Sequence, residues 1–154
     1  MLMLSWLLLV TPLQTEQLYN VFMSAFLAQN RTNAEELSDY FYKKIMPRFE
    51  TGHLLDIAID DGRIVGFALF EKWEPQTYYL AEMAILPSYQ RQGLGRKLIF
   101  SLFDKDPATQ KILLMTERRN TLAQSFYENI GFKHSSFLHP DYPPADFTGY
   151  EYSK

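Results

Sequence analysis

The residues with the clearest capacity for chemistry form the segment Gln90-Arg91-Gln92-Gly93-Leu94-Gly95-Arg96-Lys97. An apolar, strand-like run from Tyr78 to Pro87 precedes this segment, and a helix-like run from Leu98 to Phe103 follows it. A tight glycine-containing loop between a strand and a helix presents backbone N–H groups to a phosphate. The pattern therefore predicts a binding site for a phosphorylated cofactor.

Three kinds of phosphate-binding loop compete for this segment. A Walker loop requires G-x-x-x-x-G-K-[S/T], but Gly93 and Gly95 are only two apart and Lys97 is followed by Leu98. A dinucleotide loop requires a third glycine where Leu98 stands. The segment resembles the pyrophosphate loop of acyl-CoA-dependent N-acyltransferases, [Q/R]-x-x-G-x-[G/A], which Gln90, Gly93 and Gly95 match in full.

The charge around the loop supports an anionic ligand. Arg96 and Lys97 fall in the first turn of the following helix, where the helix dipole disfavours cations. No acidic residue occurs from Met83 to Phe103, although the chain carries a net charge of −3. A bound polyanion would make these cations favourable. The alternative is an ordinary strand–turn–helix with a solvated basic end.

A second motif lies downstream, from Asn120 to Phe132. It resembles the second signature of the GNAT N-acetyltransferase superfamily, in which an Asn opens a helix that carries a Tyr seven residues later and ends in Gly-Phe. The two signatures occur in the family's order and spacing, and the detailed resemblance covers about residues 78 to 132. The resemblance implies one N-acetyltransferase domain over residues 1–154, with acetyl-CoA as cosubstrate and coenzyme A as product.

The resemblance also implies which residues bind the cofactor. The strand before the loop would pair through its backbone with the pantetheine arm, the loop amides would bind the pyrophosphate, and a downstream Asn and Tyr would contact the same ligand. The implied cofactor-binding residues are Met83, Ala84, Ile85, Arg91, Gln92, Gly93, Leu94, Gly95, Arg96, Asn120 and Tyr127. For Asn120, a role as the N-cap of its helix is the alternative.

Two residues are expected to be catalytic. The resemblance makes Tyr127 the general acid that protonates the departing CoA thiolate, and a core tyrosine on the stripe of Ala123, Phe126 and Ile130 is the alternative. Glu82 is the candidate general base, because a lone acid inside an apolar strand is costly unless it has a partner or a role. A salt-bridged or edge position is an equal alternative for Glu82.

Other candidates for the base are weaker. Glu117 and Tyr79 are further options on neighbouring segments. Some family members place an acid on the strand after the loop, near where this chain has Met115. That departure counts against a mechanism of the type that acetylates peptide N-termini or ribosomal proteins.

The pattern along the chain predicts the element order β-α-α-β-β-β-α-β-α-β-β and an α/β fold. The resemblance adds a mixed sheet of six or seven strands, about four helices, and a splay between the fourth and fifth strands. Asp61-Gly62 predicts a hairpin. A buried first strand is expected over Leu4 to Val10, followed by a polar break over Gln29 to Thr32. A second helix is expected over about Asn33 to Met46, ended by Pro47. Two closing strands are expected over Phe132 to Leu138 and Phe147 to Tyr152.

Composition limits the partners. The pI near 5.6 argues against a nucleic-acid binder, and the absence of cysteine excludes disulfides and cysteine nucleophiles. No metal site is expected, because His53, His134 and His139 are scattered. The apolar run Met1 to Val10 is too short to span a bilayer and lacks signal-peptide features, so no membrane association and a cytoplasmic location are expected.

The predicted function is transfer of an acetyl group from acetyl-CoA to a primary amine by direct attack in a ternary complex. A small-molecule amine is favoured over a protein amine as the acceptor, and a homodimer is possible. The alternative is a non-catalytic module that holds acyl-CoA as a sensor or partner.

Overall fold

The computed structural model describes residues 1–29, 33–51 and 53–154, so most of the predicted polar break at Gln29 to Thr32 lies outside the described residues. Within the described residues the chain forms fifteen helical and extended segments, in an order that agrees with the sequence pattern. They are β1 Leu2–Leu7, α1 Pro12–Leu27, α2 Ala34–Tyr40, a π-helical turn Phe41–Ile45, a 3-10 turn Met46–Glu50, β2 Leu54–Asp60, β3 Arg63–Glu74, β4 Thr77–Ile85, a 3-10 turn Pro87–Tyr89, α3 Leu94–Phe100, α4 Leu102–Lys105, β5 Lys111–Glu117, α5 Thr121–Asn129, β6 Lys133–Ser135 and β7 Phe147–Ser153.

The strands form a seven-stranded mixed sheet with the order β1-β2-β3-β4-β5-β7-β6. The β1–β2, β2–β3, β5–β7 and β6–β7 pairs are antiparallel, whereas β4 and β5 run parallel. The parallel pairing runs from Thr77 with Lys111 to Tyr79 with Leu113 and ends before Leu80. The α/β fold class is therefore confirmed, and the early end of the β4–β5 pairing agrees with a splay between these strands.

The described chain divides into two compact units. Unit one consists of residues 1–70 and 82–102, and unit two of residues 71–81 and 103–154. In unit one the amphipathic α1 buries one face, and residues of the π-helical turn, β2, β3 and α3 complete the core. Its fully buried side chains include Leu18, Phe22, Phe41, Ile57, Phe67 and Leu98. Unit two has its own core, which includes Tyr79, Ile112, Leu114, Phe132 and Tyr150.

The hairpin at Asp61-Gly62 is confirmed. Asp61 has a φ of 49° and Gly62 a φ of 75°, and two positive φ values match the twist of the flanking antiparallel strands. The bonded register closes the turn at Asp60 with Arg63.

Three expectations about element boundaries are wrong. The first strand is β1, Leu2–Leu7, rather than Leu4 to Val10, and it is exposed or half-buried rather than buried, because it pairs on one side only, with β2, at the edge of the sheet. Pro47 does not end the second helix, since α2 passes into a π-helical turn and Pro47 sits in the first turn of a 3-10 segment, where its missing N–H costs nothing. The first closing strand is only Lys133–Ser135.

Candidate active site

The predicted phosphate loop has an unusual backbone. A 3-10 turn at Pro87–Tyr89 leads out of β4, and Arg91 and Gly93 then have φ values of 60° and 78°. Left-handed residues alternating with ordinary ones create a concave run of N–H groups, which is the geometry of an anion-binding nest. Glycine adopts such a φ freely, whereas Arg91 does so at a cost of about 1–2 kcal/mol.

Two glutamine side chains hold the loop in this shape. Gln90 Nε2 donates to the carbonyl oxygen of Ile85 at 2.9 Å, and Gln92 Nε2 donates to that of Ser88 at 3.0 Å. Both bonds join the loop to the segment just before it. The sequence motif identified Gln90 but not this role, since a motif states residue types and not their bonds.

The start of α3 is open. Gly93 is its N-cap and provides no side-chain cap, and the first turn contains no acidic residue. Leu94 and Gly95 are buried, whereas Arg96 and Lys97 are exposed. The guanidinium carbon of Arg96 lies 5.7 Å from the ring centroid of Phe100. The described loop therefore combines N–H groups and exposed cations, as the sequence predicted.

The last part of β4, with Met83, Ala84 and Ile85, belongs to unit one. Ala84 is buried, and Met83 and Ile85 are half-buried. Gly66 on β3 lets the backbones approach: a Cβ there would stand 3.3 Å from Ile85 Cγ1 and 3.4 Å from the carbonyl oxygen of Ala84. Sequence reasoning did not single out Gly66, because an isolated glycine in a strand does not show which neighbour it faces.

Glu82 is a half-buried carboxyl in unit one. Tyr40 donates its hydroxyl to Glu82 Oε2 at 3.5 Å, a long hydrogen bond. Burial raises the pKa of Glu82 to about 7, although the charge of Arg48 and the bond from Tyr40 act in the opposite direction. A carboxyl with this pKa can accept a proton near neutral pH. The sequence indicated Glu82 but gave no sign of Tyr40 and Arg48, which are more than 30 residues away.

Asn120 caps α5 in unit two. Its Oδ1 accepts the backbone N–H of Ala123 at 3.0 Å. Gln124 Nε2 donates to the carbonyl oxygens of Arg118 and Glu117, at 2.8 and 3.1 Å. The structure thus shows the capping role of Asn120 directly, and the ligand contact expected from the resemblance stays a prediction. Glu117, a weaker base candidate, is ion-paired with Arg119 at 2.7 Å.

Tyr127 lies two turns along α5 and is half-buried. Its ring packs edge-on against Phe126 and Phe132, with centroids 5.2 and 5.7 Å apart. The nearby Tyr150 donates its hydroxyl to Glu128 at 2.8 Å, and burial raises the pKa of Tyr150 to about 12. Tyr150 is therefore a weaker proton donor than an ordinary tyrosine.

Tyr79 and Met115 lie in unit two beside the segment between β6 and β7. Tyr79 is buried, with its ring centroid 4.9 Å from that of His139. Met115 Sδ accepts the backbone N–H of His139 at 3.1 Å. The thioether that replaces an acid in this chain therefore supports the β6–β7 segment.

The histidines do not form a metal cluster among the residues the structure describes, where no three potential ligands converge. His139 is buried and accepts the N–H of Asp141 at Nδ1, 3.1 Å away. His134 lies 3.2 Å from Glu128 on the exposed side of unit two.

Residues 15–132 match the model of the acetyltransferase (GNAT) family. This chain belongs to that family. The expectation of an N-acetyltransferase is confirmed at that level, and the two signatures read from the sequence fall inside the matched range.

The chain is similar in sequence to two N-acetyltransferases of known name. It is 30% identical over 105 residues to N-alpha-acetyltransferase 30 of Schizosaccharomyces pombe, a match over 64% of this chain and 69% of that protein. It is 33% identical over 88 residues to the ribosomal protein bS18-alanine N-acetyltransferase of Escherichia coli, over 56% and 59% of the two chains.

A solved structure shares the fold over nearly the whole length. The PaiA N-acetyltransferase of Thermoplasma acidophilum, in complex with coenzyme A, superposes with a TM-score of 0.78 at 18% identity and covers 99% of both chains. The expectation that this family uses a coenzyme A donor is thereby confirmed for the family.

No helix within the described ranges is long and apolar enough to cross a membrane.

Proposed function

We propose that residues 1–154 act as one acetyl-CoA-dependent N-acetyltransferase domain that acetylates a primary amine by direct attack. The observation that carries this proposal is the loop from Gln90 to Arg96, whose signature matches the family and whose backbone forms a nest with positive φ at Arg91 and Gly93. A sensor without turnover would need the loop but would not need Glu82 with a pKa near 7.

The donor is bound by backbone groups of unit one. The amides of Arg91 to Arg96 bind the pyrophosphate, and the exposed cations Arg96 and Lys97 add electrostatic attraction. The last residues of β4, Met83 to Ile85, pair with the pantetheine arm, and their amides polarise the thioester carbonyl. Asn120 contributes its side-chain amide nitrogen, because its oxygen already caps α5.

The reaction requires two proton transfers. The amine nitrogen attacks the thioester carbonyl carbon, and its proton passes to the carboxylate of Glu82. The carbon–sulfur bond then breaks, and Tyr127 donates its hydroxyl proton to the departing thiolate. A phenol with an ordinary pKa of about 10 can protonate a thiolate whose acid has a pKa of about 8.5 only when geometry and local field assist.

The acceptor is a primary amine, with a small molecule as the first candidate. A peptide α-amine is the second candidate, because one similar protein is named an N-alpha-acetyltransferase and the other an alanine N-acetyltransferase of a ribosomal protein. Met115, at the position near which some members have an acid, separates this chain from those members and favours the first candidate.

The test is release of free thiol from acetyl-CoA over a panel of amines. The panel should contain polyamines, amino acids, aminoglycosides, and peptides that begin with Ala or Met. We expect thiol release with at least one class of amine and no release without an amine. If calorimetry shows that coenzyme A binds but no amine in the panel causes thiol release, the sensor would be favoured instead.

The role of Glu82 predicts a specific pH dependence. The carboxylate must be unprotonated to accept a proton, so kcat/KM should rise with pH and level off above about 7. Glu82→Gln should lower kcat by roughly 100-fold and remove this limb of the profile. Glu117→Gln is the matched control, and an unchanged profile in Glu82→Gln would assign the base elsewhere.

The proposal also includes a cytoplasmic location and a homodimer that forms through strand β1. Strand β1 ends the sheet, no charged side chain precedes Glu16, and this edge carries none of the lysines or prolines that protect edge strands. The exposed large apolar side chains include Leu2, Met3, Leu4, Leu8, Leu9 and Leu13.

A second copy of β1 is the partner that fits, because an uncharged strand matches itself across a two-fold axis. Light scattering after size exclusion should give twice the mass of 18.1 kDa. Met3→Lys with Leu4→Glu should give the monomer, and a monomeric parent protein would remove the proposal.

A further inference from the structure

A side-chain hydrogen bond joins the turn before the phosphate loop to the β2–β3 hairpin. Tyr89 donates its hydroxyl to Asp60 Oδ2 at 2.6 Å. Tyr89 closes the 3-10 turn that leads into the loop, two residues before Arg91, and Asp60 is the last residue of β2. The bond is short, as expected when the acceptor is a carboxylate.

The electrostatics of the two groups agree with this short bond. The hydrogen bond from Tyr89 is the main cause that lowers the pKa of Asp60, and the same bond is the main cause that raises the pKa of Tyr89. Asp60 is therefore an ionised acceptor at neutral pH, and the Tyr89 hydroxyl keeps its proton as the donor.

The loop conformation needs support from outside itself. Arg91 holds a φ of 60°, a left-handed conformation that an arginine adopts only when surrounding contacts determine it. The bonds of Gln90 and Gln92 reach back by four or five residues, so they shape the loop but do not fix its position. The bond to Asp60 spans 29 residues and joins the loop to the β2–β3 hairpin.

The hairpin is a firm anchor. Its turn has positive φ at both Asp61 and Gly62, and its strands are paired from Asp60 with Arg63 onward, with one register shift between Ala58 and Ile59. Strand β3 also receives the N–H of Leu86, which donates to the carbonyl oxygen of Val65 at 2.9 Å just before the 3-10 turn. The segment before the loop is thus tied to the same hairpin by its backbone at Leu86 and by its side chain at Tyr89.

We propose that Tyr89 and Asp60 are positioning residues for the cofactor, which hold the loop so that its N–H groups converge on the pyrophosphate. This inference rests on the proposed function and deepens it. Neither residue touches the reacting atoms. Loss of the bond should weaken binding of the phosphate-bearing part of the donor and leave the chemical step unchanged.

The test compares two donors, one with and one without the pyrophosphate. Tyr89→Phe should raise the KM for acetyl-CoA about five- to tenfold with kcat unchanged, whereas kcat/KM for S-acetylpantetheine, which has no phosphate, should stay at the parent value. Asp60→Ala should also raise this KM, although it removes the 3.5 Å ion pair between the Met1 amino group and Asp60 Oδ1 as well. The KM of the double variant should be no higher than that of Asp60→Ala, because both substitutions remove the Tyr89–Asp60 bond.

The matched control is Tyr78→Phe in unit two. The Tyr78 hydroxyl donates to Asp106 Oδ2 at 2.9 Å, so this substitution removes the same kind of bond in the unit that does not contain the loop. It should leave the KM for acetyl-CoA unchanged. Melting temperatures of all variants should be measured, since a purely structural role would affect both donors equally.

The outcomes separate the two proposals. A parent protein that binds no coenzyme A and releases no thiol would contradict the proposed function itself. The positioning role would be overturned if the parent enzyme turns over normally and Tyr89→Phe either keeps the parent KM or loses activity equally with both donors. The proposed function would then stay intact.

Discussion

The helices α3 and α5 begin in opposite ways, although both follow a strand and both carry a family signature. The start of α3 has Gly93 with positive φ and no side-chain cap, and exposed cations follow it. The start of α5 is closed by Asn120, whose side chain accepts the N–H of Ala123. One helix start therefore has N–H groups to offer to an anion, and the other has already satisfied such a group.

This difference assigns different roles to the two units. In the proposed mechanism, unit one provides the loop for the donor's phosphates and the base candidate Glu82. Unit two provides Tyr127, for which the cap at Asn120 fixes the beginning of its helix. Binding defects are thus expected from α3 and rate defects from α5.

The largest expected effect comes from α5. Tyr127→Phe should lower kcat by roughly 100-fold or more, because general acid catalysis contributes about 10²–10⁴. The affinity for coenzyme A, measured by calorimetry, should change little. Tyr19→Phe, which removes a hydroxyl bonded to Ser38 in unit one, is the control and should keep the parent rate. An unchanged rate in Tyr127→Phe over several amines would remove the acid role.

The next effect comes from α3 and uses a pair of glycines. Gly93 and Gly62 have φ values of 78° and 75°, and a Cβ on either would meet no atom within 4 Å. Alanine at either position should cost about 1–2 kcal/mol of stability through the left-handed φ. Only Gly93→Ala should also weaken coenzyme A binding, by about tenfold or more, because the Cβ would stand where the pyrophosphate approaches. Equal affinities in the two variants would show that the loop is misassigned.

A smaller effect separates the two proposed roles of Asn120. Asn33 caps α2 with the same geometry, since its Oδ1 accepts the N–H of Glu36 at 2.9 Å. Both Asn120→Ala and Asn33→Ala should lose about 1 kcal/mol of stability. If Asn120 also contacts the donor, its substitution alone should raise the KM for acetyl-CoA several-fold, and Asn120→Asp should restore stability but not KM. Equal KM values would leave Asn120 as a cap.

The last effect concerns the other end of α3 and is expected in stability alone, without a change in cofactor binding or rate. Asp56 is fully buried, its Oδ2 lies 2.5 Å from Ser101 Oγ, and burial raises the pKa of Asp56 to about 6. Ser101 Oγ is also 2.9 Å from the carbonyl oxygen of Leu98. A single hydroxyl proton cannot serve both oxygens, so a protonated Asp56 that donates to Ser101 satisfies both contacts.

The pH dependence follows from this raised pKa. The folded state binds the proton more tightly than the unfolded chain, whose pKa is near 3.8, so this contribution is fully present below about pH 4 and is lost as pH rises through about 6. The loss amounts to roughly 3 kcal/mol. Asp56→Asn should make the fall of the unfolding free energy between pH 4 and 7 less steep in urea titrations, and the remaining slope should come from Glu82. A variant as steep as the parent would contradict the role of Asp56.

Much of the fold and of the loop could be predicted from the sequence. The signature around Gly93 and the Asp61-Gly62 turn depend on local backbone demands, which residue types report directly. The partners of Glu82 and Tyr89, namely Tyr40, Arg48 and Asp60, could not be predicted, because they come from distant segments that only the fold brings together. The edge position of β1 was missed for a related reason: an apolar run does not tell whether both of its sides are paired.

The most direct measurement is the response of backbone amides to coenzyme A in ¹H–¹⁵N NMR spectra of this chain of 154 residues. The N–H groups of Arg91 to Arg96 should show the largest shifts on titration, and the capped N–H of Glu36 at the start of α2 should not move. Coenzyme A that binds while the amides of Arg91 to Arg96 stay in place would contradict the assignment of this loop as the pyrophosphate site.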